Sequence, residues 1–263
     1  METGKAAGFL PFSGKKALVI GGTGGIGKAV ALGLAQKGAE VIVHGGSSQQ
    51  RLDDTIAALR TICGKGEGFL LPINGPEAAA GILARVSAPG ITAEAIQGRC
   101  SPLDILVCAW GPFKQGSLET LDRDFWQYMA ESNLVFPGVL VSMAISGMVE
   151  RNWGRILLFG GTNTDTIRGF STTTAYSAVK TALGVIAKSV AKSAGSCGVT
   201  CNVLCPGLTD TEYTGEALLR YNREKSPGGK PLSAEQIANS ALAILENPGF
   251  NGAVVPVDQG IVL

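Results

Sequence analysis

The sequence predicts a single doubly wound α/β domain over residues 1–263, a seven-stranded parallel sheet with helices on both faces. Three observations predict it. Short apolar runs alternate with longer amphipathic ones, the pattern of repeated βαβ units. The short runs are hydrophobic throughout, as expected of parallel strands covered on both sides. The first of them leads straight into a glycine-rich turn that opens a helix.

The predicted strands are KALVIG (16–21), EVIVH (40–44), GFLLP (68–72), LDILVCA (103–109), GRILLFG (154–160), VTCNVL (199–204) and AVVPV (253–257). Helical patterns begin near Gly25, Arg51, Pro76, Asp122, Thr173 and Ser233. Residues 87–102 read as a long connection with one short helix at most. No repeat, low-complexity tract or linker divides the chain, so one domain is expected.

Composition narrows the function classes. Lys and Arg number 22 against 21 Asp and Glu, for a net charge of +1. This balance offers no electrostatic footprint for nucleic acid or an anionic membrane surface. No apolar run is expected to reach the roughly 20 residues of a spanning helix. The start, METGKAAGFLPFSGKK, lacks the apolar stretch of a secretory signal. The six cysteines form no CxxC pair and His44 is the only histidine, so no metal site is expected. Cys201 and Cys205 read as small packing residues on a strand. A reduced, cytoplasmic protein follows as the expectation.

The turn after the first strand, GGTGGIG, provides Gly21, Thr23, Gly24, Gly25, Ile26 and Gly27 as candidate dinucleotide contacts. Glycine there lets the backbone reach positive φ and approach a pyrophosphate, and the following helix offers free N–H groups. Three glycine spacings fit equally well: 22-24-27, 21-24-27 and 21-25-27. After the second strand, VIVHGGSSQQR has no carboxylate before Asp53 to hold a ribose 2′-hydroxyl. Ser47 and Ser48, with Arg51 nearby, could contact a 2′-phosphate instead. NADP(H) is therefore expected in preference to NAD(H).

In STTTAYSAVKTALG, Tyr176 and Lys180 are one helical turn apart and share a face. A free phenol titrates near ~10. An ammonium one turn away, together with an oxidised nicotinamide, would favour the phenolate and suit Tyr176 to proton transfer at a carbonyl.

These segments, in this order, resemble the classical short-chain dehydrogenase/reductase family: GGTGGIG, LDILV, AYSAVK and NVLCPGLTDTEY. The resemblance covers the chain from about Ser13 onward. It implies a Rossmann-type fold, and it implies that Tyr176 and Lys180 are the family's catalytic pair, Lys180 also holding the nicotinamide ribose. Asn133 would hold the water of a proton relay. Pro206, Gly207, Thr209 and Thr211 would embrace the nicotinamide, Gly111 would pass close to the cofactor and Asn74 would lie near the adenine. A homotetramer or dimer is implied as well, and residues 211–232 as a mobile substrate segment. The layout is most similar to the 3-oxoacyl-[acyl-carrier-protein] reductases.

Two departures stand out. Where the family has a serine after the fifth strand, this chain has LLFGGTNTDT. Counting from GRI gives Gly161, counting back from Tyr176 gives Asn163, and Thr162 offers a hydroxyl between them; Thr164 competes with it. Where the family has Asn-Asn-Ala-Gly, this chain has CAWG, and Trp110 either shapes a substrate pocket or packs between strand and helix. The expected function is NADP(H)-dependent reduction of a ketone, including a 3-oxoacyl thioester, to a secondary alcohol, with Tyr176, Lys180, Asn133 and Thr162 at the reacting centre. The alternative is a dinucleotide-binding sensor or scaffold without turnover. A sugar-nucleotide epimerase would need a larger C-terminal lobe than follows Gly207.

Overall fold

The seven-stranded sheet is wholly parallel. Its spatial order is β3 (Glu67–Leu70), β2 (Glu40–Gly45), β1 (Lys16–Ile20), β4 (Ile105–Cys108), β5 (Gly154–Phe159), β6 (Val199–Pro206) and β9 (Val254–Val257). These features come from a computed structural model that describes residues 10–87 and 102–261. The connection expected at 87–102 and Cys100 therefore fall almost wholly outside the described residues. All seven expected strands form, each within a few residues of its expected limits.

Helices α1 (Gly25–Gln36), α2 (Gln49–Cys63), α3 (Ala78–Ser87), α4 (Arg123–Ala130), α5 (Phe136–Glu150), α6 (Thr174–Ala194), α7 (Glu216–Lys225) and α8 (Ala234–Glu246) complete the architecture. Two short strands, β7 (Thr209–Asp210) and β8 (Leu232–Ser233), pair apart from the main sheet. Segment 211–232, expected as a loop, thus carries a helix between two paired ends.

Two apolar layers lie on the two sides of the sheet. One packs Leu18, Leu106 and Ile156 against α3, α5 and α6; the other packs Val19, Val107 and Leu157 against α1 and α8. The alternation of neighbours such as Leu106 and Val107 between layers is the period-2 geometry of a strand buried on both faces. Truncating such a fully buried leucine to alanine costs about 2–5 kcal/mol.

Local sequence fixes several helix ends. Asp122 caps α4 by accepting from the Phe125 amide at 2.8 Å. Ser233 and Gln236 form a reciprocal capping box on α8. Gly64 ends α2 in the left-handed conformation.

The single helix expected from Asp122 is two, joined by a π-helical turn at Glu131–Val135. Pro137, four residues beyond Asn133, has no N–H to give the Asn133 carbonyl, which favours the wider turn. The run Arg123–Glu150 is long and apolar enough to cross a membrane by length and composition, which corrects the expectation that no segment is. Its apolar character has a local cause: Leu140, Val141, Ala144 and Met148 pack into the core.

Candidate functional site

The strand order turns back between β1 and β4, and doubly wound sheets bind ligands beyond the carboxyl ends of the strands at such a point. The glycine turn sits there. Gly21 and Gly25 adopt φ of 74° and 49°, which other residues avoid. A Cβ on Gly27 would lie 2.2 Å from the Gly21 carbonyl oxygen, so α1 can approach β1 only with glycine there. Of the three spacings open to the sequence, the geometry uses 21-25-27. Thr23 lies against Gly45 at the end of β2, and Ile26 faces the neighbouring cleft.

The seat at the head of α1 accommodates an anion. Both Glu212 carboxylate oxygens accept from the Gly25 amide, at 2.9 and 3.1 Å. This is the kind of group, and the place, that a pyrophosphate would take. Beside it, Ser48 caps α2 and accepts from the Arg51 amide at 3.4 Å, while Ser47 is exposed. The Arg51 side chain reaches the Tyr213 hydroxyl at 2.7 Å. Asn74 is exposed on the loop after β3.

A cleft of about 840 Å³ opens next to this seat. Gly111, Gly161, Thr162 and Tyr176 line one part of it, Pro206, Gly207, Thr209 and Thr211 another. From α7, Leu218, Tyr221 and Lys225 reach its edge.

Tyr176, Lys180 and Asn133 converge on the floor. Lys180 is buried and its Nζ donates to the Phe159 carbonyl at 2.8 Å, 5.8 Å from the Tyr176 ring centroid. A Cβ on Gly111 would meet Asn133 Oδ1 at 2.4 Å and Lys180 Nζ at 2.8 Å, so both polar atoms point at one spot above its backbone. Asn133 Nδ2 donates to the Pro112 carbonyl at 3.1 Å, and its buried Oδ1 has no hydrogen-bond partner among the described residues. An unpaired buried acceptor beside an ammonium is a place for a water or a ligand group.

Burial lowers the Lys180 pKa to about 8, against a smaller upward pull from Cys108 and Cys205. The Cys108 thiol is pushed up to about 11 by the same burial. In the chain alone, burial first, then Cys205, raises Tyr176 above the usual phenol range. The Lys180 ammonium is turned to the Phe159 carbonyl.

The departures now have positions. Gly161 meets the phenol directly, since a Cβ there would lie 2.9 Å from the Tyr176 oxygen. Thr162 lines the cleft but gives its hydroxyl proton to the Pro206 carbonyl at 3.1 Å. Thr164 is fully buried and accepts from the Gly161 amide at 2.8 Å, which removes it from the cleft. Asn163 is in the left-handed region, its Oδ1 taken by Arg168 at 3.2 Å. Trp110 packs edge-on against Phe136, with ring centroids 5.6 Å apart, and Phe113 stands edge-on to Tyr176 at 4.9 Å.

The sequence reading missed two things here. Glu212 and Tyr213 cover the glycine turn, a contact that no local pattern announces. The π turn that carries Asn133 had a signal, Pro137, four residues on.

The sequence model described as short chain dehydrogenase matches residues 15–221. The 3-oxoacyl-[acyl-carrier-protein] reductase FabG of Pseudomonas aeruginosa is 30% identical over 97% of this chain and 100% of its own. The 2-dehydro-3-deoxy-D-gluconate 5-dehydrogenase of Formosa agariphila is 26% identical over 95% of this chain and 93% of its own. Among solved structures, a 3-oxoacyl (acyl-carrier-protein) reductase from Agrobacterium tumefaciens with NADP bound superposes with a TM-score of 0.83, at 26% identity over 98% of each chain. With a match across most of its length and a tyrosine–lysine pair beside a glycine-lined nucleotide seat, this chain belongs to the short-chain dehydrogenase family.

Proposed function

We propose that the protein is an NADP(H)-dependent ketoreductase that converts a ketone to a secondary alcohol, with Tyr176 as the proton donor. The observation that carries this reading is the convergence of Tyr176, Lys180 and Asn133 on one cleft beside the glycine turn. The residues fit a nicotinamide dinucleotide: Gly21, Gly25 and Gly27 allow close approach, and the Gly25 amide already holds an anion. The absence of a carboxylate after β2 and the presence of Arg51 support the phosphorylated form.

The bound cofactor supplies hydride to the carbonyl carbon. The chain does the rest. Tyr176 hydrogen-bonds the carbonyl oxygen and gives it a proton as negative charge develops there. The phenol holds its proton at neutral pH and so can donate it to the carbonyl oxygen. Lys180 and the Asn133 Oδ1 face a common spot through which a water could return the proton to the phenol. Thr162 provides the substrate-facing hydroxyl once it releases Pro206. The FabG relatives support a 3-oxoacyl thioester as the substrate class, and the gluconate dehydrogenase supports a sugar-acid ketone as the second.

A homo-oligomer belongs to this reading, because Tyr128, Val135 and Val185 expose apolar surface on and beside α4 and α6. So does a cytoplasmic setting, in keeping with the FabG relatives. The test is nicotinamide absorbance with NADPH and then NADH, offered with acetoacetyl thioester and with a keto-sugar acid. Ketone-dependent NADPH oxidation exceeding that of NADH is the expected result. Tight NADPH binding without turnover on either ketone or on a broader panel would replace the reductase by the sensor.

A further inference from the structure

The head of α1 is occupied by the chain itself. The Gly25 amide gives its hydrogen to the Glu212 carboxylate, a residue 187 positions away in the sequence. That carboxylate lies where a Cβ on Gly24 would be, 2.3 Å from its Oε1. Tyr213 extends the cover, with its hydroxyl 2.4 Å from the same point. It also occupies Arg51, accepting from Nη1 at 2.7 Å under a guanidinium 4.8 Å from the ring centroid. One dipeptide thus covers both the anion seat and the arginine beside it.

The dipeptide is held in a small turn of its own. Thr214 Oγ1 donates to the Thr209 carbonyl at 3.1 Å and accepts from the Thr211 amide at 3.2 Å. The Tyr213 amide donates to Thr211 Oγ1 at 3.3 Å. On one side the turn is tethered through β7 to β8, and on the other it runs into α7, whose Leu218, Tyr221 and Lys225 line the cleft.

We propose that Glu212 and Tyr213 form an intramolecular plug, so that the free protein is autoinhibited by its own carboxylate. This rests on the dinucleotide reading of the site. A pyrophosphate and a carboxylate cannot share the Gly25 amide, and like charges at that distance repel. The nucleotide therefore binds only to the fraction of molecules in which Glu212 has left, and its apparent affinity is reduced by that fraction. Displacement also moves the turn that leads into α7, so nucleotide arrival reshapes the substrate side of the cleft.

The experiment is NADPH binding by fluorescence, at equilibrium and by stopped flow, with the full chain and its Glu212→Gln, Glu212→Ala and Tyr213→Ala variants. Thermal melting without nucleotide checks that each variant folds. Removing a charge that competes at a helix N-terminus is expected to tighten binding about three- to tenfold in Glu212→Gln. Glu212→Ala should bind at least as tightly, and Tyr213→Ala should tighten binding by freeing Arg51. Wild-type association rates should level off as NADPH rises, while those of Glu212→Gln keep climbing. Equal or weaker binding by both Glu212 variants would overturn the plug while leaving the dinucleotide site intact. Absence of NADPH and NADH binding by every protein would overturn the dinucleotide reading and the plug with it.

Discussion

The Tyr176 phenol rests on the bare backbone of Gly161: a Cβ at that position would come within 2.9 Å of the hydroxyl oxygen. Gly161, the position reached by counting from GRI, is thus one whose missing side chain makes room for the candidate acid. A side chain placed at Gly161 should therefore harm the enzyme. Gly161→Ser is expected to lower kcat by about 100-fold, because displacing a proton donor by a fraction of an ångström is enough to spoil its geometry. Steady-state rates with NADPH would show it, and a gain in kcat would contradict this packing.

Thr162 carries the hydroxyl proposed for the serine's role. It faces the cleft, and its hydrogen bond to Pro206 also ties the loop after β5 to the end of β6. Thr162→Val keeps the shape and removes both roles. Turnover should fall about tenfold or more with NADPH binding little changed, whereas wild-type kcat would leave the substrate oxygen to Tyr176 alone.

Lys180 gives a prediction in pH. Its folded pKa of about 8 lies below the unfolded value of 10.5, so burying the ammonium costs stability below pH 8. Between pH 8 and 10.5 the unfolded chain binds more protons at this site, and the contribution of Lys180 to stability rises with pH. The full rise is about 3 kcal/mol at 1.36 kcal/mol per unit. Urea unfolding of wild type and Lys180→Met at pH 7.5, 9 and 10.5 isolates it, since other titrations common to both proteins cancel. A difference that stays flat over that range would place the lysine in a far more polar setting.

Much of this was legible in the sequence, for physical reasons. Seven short apolar runs alternating with amphipathic ones can hardly be anything but parallel strands, and the central ones are buried on both faces. The one-turn spacing of Tyr176 and Lys180 put both on one face of α6 before any coordinates. What remained hidden depends on backbone angles or distant contacts. Composition could not choose among glycine spacings, because only φ at Gly21 and Gly25 distinguishes them. The turn of Lys180 toward Phe159, 21 residues earlier, is set by a contact that no local pattern encodes. Glu212 on Gly25 was invisible because nothing local encodes it.

Cofactor choice can be tested at Arg51. It is the guanidinium beside the end of β2 and stacks on Tyr213, so it is available to a 2′-phosphate only when that ring withdraws. Arg51→Ala should raise KM for NADPH about tenfold, the scale of one exposed charge-assisted contact, and leave KM for NADH unchanged. Equal effects on both cofactors would move the phosphate contact elsewhere.

The most direct test of the central claim compares wild type with Tyr176→Phe in NADPH oxidation by acetoacetyl thioester, with NADPH binding measured on both. Loss of the single hydroxyl should cut kcat about 10²- to 10⁴-fold while binding stays near wild type. Turnover by the phenylalanine variant close to that of wild type would contradict Tyr176 as the proton donor, and with it the mechanism built on this cleft.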